Sequence, residues 1–87
     1  MWMSATVPAN RRTGYVFTGK NWHASLCVYG FHSESPGEWK LICPAIGLSF
    51  PQEIGLSGDT PAEIAISVCN KVISKRLASM LEEIQNA

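Results

Sequence analysis

The chain has 87 residues, 46% of them hydrophobic and 16% charged, and its seven basic and seven acidic side chains cancel. That length holds one small domain with a modest core, for which a staple, a metal or a second subunit would be a help. No apolar run approaches the roughly 20 residues that a membrane-spanning helix needs, and a neutral chain offers no broad field to phosphate backbones.

Leu, Ile, Val and Phe account for 21 residues, enough to expect a packed domain rather than a disordered one. Residues 1–10 carry no basic segment followed by an apolar core and a cleavage site, so no secretory signal is expected. Cys27, Cys43 and Cys69 lie far apart and are odd in number, a poor disulfide framework. The expected setting is therefore reducing and cytoplasmic, with the thiols acting as small hydrophobes.

In chain order, residues 1–12 contain Pro8, Asn10, Arg11 and Arg12 without an apolar period and read as a flexible lead-in to a single domain over 13–87. TGYVFT, from Thr13 to Thr18, is aromatic and β-branched and predicts a first strand, closed by Gly19, Lys20 and Asn21. In WHASLCVYGF the residues Trp22, Ala24, Leu26 and Val28 alternate with His23, Ser25, Cys27 and Tyr29, the period of a half-buried strand. HSESPG (32–37) reads as a hairpin loop, and EWKLIC places Trp39, Leu41 and Cys43 on one side of a third strand. Pro44 ends it, and AIGLSFPQEIGLSG (45–58) predicts a short edge strand or a packed loop, the strand being preferred.

Thr60, Pro61 and Glu63 form a helix-start signal, with Thr60 as cap and Pro61 at the first helical position. No Gly or Pro intervenes before Gln85, so the helix can approach 40 Å, against roughly 20 Å for a six-residue strand. Its apolar stripe drifts from Ala65, Val68, Cys69 and Val72 to Ile73, Leu77, Met80, Leu81 and Ile84. Either the helix bends around its own core, or its last turns overhang and Leu77, Met80, Leu81 and Ile84 meet another copy in a homodimer. The predicted fold is α+β: a three- to four-stranded antiparallel β-meander followed by one long C-terminal helix packed on one face.

No chemistry stands out. His23, Cys27, His32, Cys43 and Cys69 lack the paired spacing of a zinc site, and Asp59 is the only aspartate, placed in a turn. Gly55 and Gly58 precede the helix without a Walker lysine. The expectation is no enzyme, no metal and no cofactor. A nucleic-acid module would use an open sheet face with Tyr15, Phe17, Tyr29 and Phe31 and the basic residues Arg11 and Arg12, but the RRM aromatic signature is missing. Protein binding is favoured: Tyr29, Phe31 and Trp39 flank the 32–37 loop as candidate contacts, with Arg11 and Arg12 secondary.

The order of elements, with EWKLICP ending a strand and Gly58-Asp59-Thr60-Pro61-Ala62-Glu63 opening a helix, resembles the HicB-type antitoxin fold. Ile64 stands where that family has alanine, and the DNA-binding module that follows this helix in such antitoxins is not expected. The resemblance therefore implies the partner-blocking half of the antitoxin role. In size and architecture the chain also resembles small phage-encoded inhibitors of host defence, including anti-CRISPR proteins. Both resemblances imply a small non-enzymatic protein that binds and blocks or regulates another protein.

Overall fold

The computed structural model describes residues 1–7 and 12–87, and the side chains of these except at positions 6, 7, 12 and 13. Five strands run in sequence order as one antiparallel sheet: β1 Trp2–Val7, β2 Arg12–Thr18, β3 His23–Tyr29, β4 Glu38–Cys43 and β5 Leu48–Ser57. A 3-10 turn, Pro44–Ile46, precedes β5, and the helix α1 spans Ala62–Gln85. The α+β architecture is as expected, but the strand count is five rather than three or four. The extra strand, β1, lies within the segment read as a lead-in and pairs along its length with β2, from Trp2 opposite Phe17 to Val7 opposite Arg12.

Alternation places Ala24, Leu26 and Val28 of β3 beside Trp39, Leu41 and Cys43 of β4 on one buried face. Ala65, Cys69 and Ile73 of α1 close over them, four residues apart and so on one side of the helix. Trp2, Tyr15, Phe17, Leu48, Ile54 and Leu56 extend this core across β1, β2 and β5. Phe17 is the hub of its outer part, with Trp22 stacked at 4.4 Å between centroids and Trp2 tilted at 5.8 Å.

The 45–58 segment forms the preferred strand at the sheet edge, but it is ten residues long rather than short. Gly47, left-handed at φ 85°, ends the 3-10 turn, and a ten-residue edge strand follows. β5 stays paired with β4 despite Pro51 because it shifts register twice, between Glu38 and Lys40 and between Leu41 and Cys43 of its partner.

The helix starts one residue later than its capping signal predicts. Pro61 is the cap residue, no side chain caps the helix, and Thr60 instead offers its carbonyl to the indole of Trp39 at 2.9 Å. At the other end α1 reaches Gln85 as expected, and every residue from Ser74 onward is exposed. The overhang is therefore what occurs, not a helix wrapped around its own core.

Candidate functional site

Because α1 covers one face of the sheet, the alternate residues of each strand line the other. Cross-strand pairing arranges them in rows: Met3, Val16, Ser25 and Ile42 in one, and Cys27, Lys40 and Glu53 in the next. Tyr29, Glu38 and Ser57 form the row nearest the 30–37 loop. Val16, Cys27, Tyr29, Lys40 and Ile42 are half-buried by their neighbours, while Met3 is 68% exposed. The single cation described in these rows, Lys40, faces Glu53 across the strands and lies 5.8 Å from the centre of the Tyr29 ring.

The loop beyond Tyr29 is held tightly. His32 and Ser35 exchange two backbone hydrogen bonds at 3.0 Å, and the Ser35 hydroxyl accepts from the Gly37 N–H at 3.2 Å. Gly37, at φ 75°, and Gly58 then approach each other, the Gly58 N–H donating to the Gly37 carbonyl at 2.8 Å. Neither position has room for a side chain. A Cβ on Gly58 would overlap the Pro36 carbonyl, and one on Gly37 the Tyr29 carbonyl. Gly58 is thus a packing residue that docks the loop on the turn before α1, and Gly55, at φ 76°, lies inside β5; neither forms a phosphate loop.

Two open hollows flank this glycine contact and share Gly37 and Glu38. One, of about 290 Å³, is lined by Tyr29, Gly30, Ser35 and Lys40, and the other, of about 410 Å³, by Trp39, Glu53, Gly55, Leu56 and Ser57. The fold therefore brings Tyr29 and Trp39 to adjoining hollows, with Phe31, 45% exposed, in the loop beside them. Their roles differ. Trp39 is only 4% exposed and spends its N–H on Thr60, so it supports the site from the core side, whereas Tyr29 and Phe31 offer surface. Arg11 lies outside the described residues; Arg12 begins β2, and its side chain is not among those described.

Met3, which pattern reading passed over, joins this surface on the open face of β1. Phe50, 82% exposed on β5, shares the parity of Leu48 and Gln52, opposite the core-facing Cys43 and Leu41, and so lies off the open face. An aromatic beside Pro51, in a segment punctuated by glycines, was the available sign for Phe50. By contrast, the supposed aromatic platform is not assembled: Tyr15 and Phe17 pack against the helix-side core, away from Tyr29.

The reactive groups are dispersed. His23 and Cys27 are four residues apart on one strand, about 13 Å at strand spacing, well beyond hydrogen-bond reach. Burial pushes the Cys27 thiol up from its ordinary range, partly offset by its hydrogen bond with Tyr29, so the thiolate is scarce at neutral pH. Burial and the same Cys27 contact raise the Tyr29 phenol. Among the described residues no three His, Cys, Asp or Glu side chains come together, and no helix is long and apolar enough to cross a membrane.

No family model, no curated protein and no solved structure matches the chain.

Proposed function

We propose that this domain is a non-enzymatic binding protein that blocks or regulates another protein through the open face of its sheet, at the end formed by Tyr29, Phe31 and the 30–37 loop. The observation that carries this reading is the uncovered face itself, where Met3, Val16, Ile42, Cys27 and Tyr29 form an apolar patch beside the charges of Lys40, Glu38 and Glu53. Such a surface suits a protein partner, since aromatic and apolar groups depleted of charge make up the centre of protein interfaces. The loop that carries Phe31 is braced by its own hydrogen bonds, which lowers the ordering cost of docking. The resemblance to HicB-type antitoxins and to small phage-encoded inhibitors agrees with a blocking role.

A nucleic-acid module is the weaker reading. Lys40 is balanced by Glu53, Glu38 lies beside Tyr29, and the remaining described cations, Lys20, Lys71, Lys75 and Arg76, lie outside these rows. Phosphate binding needs several cations on one surface and falls steeply with salt.

The test is isolation of tagged protein from its own cells under mild conditions, with a Tyr29→Ala/Phe31→Ala variant in parallel, followed by native mass spectrometry. One protein partner held in stoichiometric amount by the wild type and lost from the variant is the expected result. Copurifying nucleic acid released by salt, bound metal without a protein partner, or equal retention by the variant would overturn the reading.

A further inference from the structure

The overhanging half of α1 is poorly supported by the rest of the chain. From Ser74 to Gln85 every residue is exposed, and an isolated helix of that length is marginal in water. Its charges do not help it. Lys71 and Lys75 repel across one turn, and Glu82 and Glu83 sit at the negative end of the helix dipole with no basic residue in the last turn. Arg76 has no acidic residue three or four places away, and Glu83 has no basic one.

The apolar residues on this half are nevertheless ordered. Ile73, Leu77, Met80 and Ile84 follow the alternating four-three-four spacing of a coiled-coil seam that continues the stripe buried under the sheet at Ile73. Met80 is 37%, Leu77 43% and Ile84 75% exposed. Arg76 and Glu83 lie seven residues apart along one flank of the seam, and Ser74 and Leu81 along the other.

From this spacing we infer that α1 pairs with α1 of a second copy of this chain, antiparallel, about a two-fold axis between Ala78 and Ser79. In that register Leu77 meets the partner's Met80, and Met80 the partner's Leu77. Arg76 lies against the partner's Glu83 on one flank, twice by symmetry, so these two flank charges acquire opposite neighbours that their own helix does not supply. On the other flank the small Ser74 makes room for the partner's Leu81. Ile84 reaches the place where the partner's helix leaves its sheet. A parallel pair would set Arg76 beside the partner's Leu81 and leave both charges unmatched. Lys75 and Glu82 fall on the outer side in the antiparallel arrangement and serve as controls. The open sheet face is not used, so this pairing stands or falls apart from the proposed partner binding.

Sedimentation equilibrium of the full chain at low salt tests the register. The wild type is expected to dimerise and Leu77→Asp to be monomeric. Arg76→Glu is expected to weaken the dimer about tenfold, since two attractions become two repulsions. Glu83→Arg should weaken it similarly, the double swap Arg76→Glu/Glu83→Arg should restore it, and Lys75→Glu should leave it unchanged. The restored double swap also shows that the single variants had not merely unfolded. A monomeric wild type, a dimer indifferent to Arg76→Glu, or a double swap as weak as the singles would overturn the inference.

Discussion

The indole of Trp39 joins the sheet to the start of α1, with its rings in the core beside Tyr15 and its N–H donated to the Thr60 carbonyl. Trp39→Phe keeps most of the apolar contact and removes the donor, so it is expected to lower unfolding free energy by about 1–2 kcal/mol in urea titration. Thr60→Ala should do little, under about 0.5 kcal/mol, because no threonine hydroxyl caps the helix. A loss of about 1 kcal/mol or more would show a working cap there instead. Gly58→Ala, which drives a methyl into the Pro36 carbonyl and against Val28, should cost about 2 kcal/mol or more. Burial, reinforced by nearby Cys43, pushes the Cys69 thiol up to about 12 from an ordinary 9.0. The unfolded chain loses this proton first as pH rises, so the stability it contributes is complete below about pH 9 and is lost as pH climbs toward 12. The urea midpoint should fall over that window, at a limiting slope of about 1.4 kcal/mol per pH unit for this one group, and fall less steeply in Cys69→Ala. At this scale a sequence shows residue type and spacing but not competition. Thr60 carries a valid capping pattern, yet Pro61 takes the cap position and the Thr60 carbonyl serves Trp39, a pairing 21 residues apart.

Among the elements, β3 and β4 were legible because strict alternation of Trp22 to Tyr29 and of Trp39 to Cys43 admits only one buried face. β1 was not, since its pattern is short and its burial depends on Phe17 and α1. Trp2 contacts the Phe17 ring and donates its N–H to the Asn70 side chain at 2.8 Å, so it ties this edge strand to both layers. Trp2→Ala should cost about 2 kcal/mol and speed amide exchange in β1 ahead of β3. Equal exchange in the two strands would show that Trp2 does not hold this edge. β5 hid its extent for a different reason. Gly55 and Pro51 are breaker residues locally, and only the two register shifts against β4 let a ten-residue strand contain them. The length of α1 was readable from its uninterrupted sequence and good start, and the overhang was readable as one of two alternatives; the choice between overhang and bending depends on where the sheet stops.

For the molecule as a whole, one layer of helix on one layer of sheet leaves two surfaces uncovered, and each has a distinct character. The far end of α1 has a narrow apolar seam with matched charges on its flank, the pattern of a self-complementary contact. The open sheet face is broader, with Tyr29 and two shared hollows at one end and Met3 and Val16 at the other. Tyr29 and Phe31 were named from the sequence because they flank an evident loop, but the rows that set Tyr29 on one face with Val16 and Ile42 exist only once register is set. On the proposed function, another protein covers this face. Cys27 reports on it directly, since it is half-buried among those rows, while Cys43 and Cys69 are buried in the core and act as internal controls. Thiol alkylation followed by mass spectrometry, run on the isolated protein and on the protein in extracts of its own cells, compares the two states. Cys27 is expected to label more slowly in the extract while Cys43 and Cys69 are unchanged; equal labelling of Cys27 in both would show that nothing covers this face.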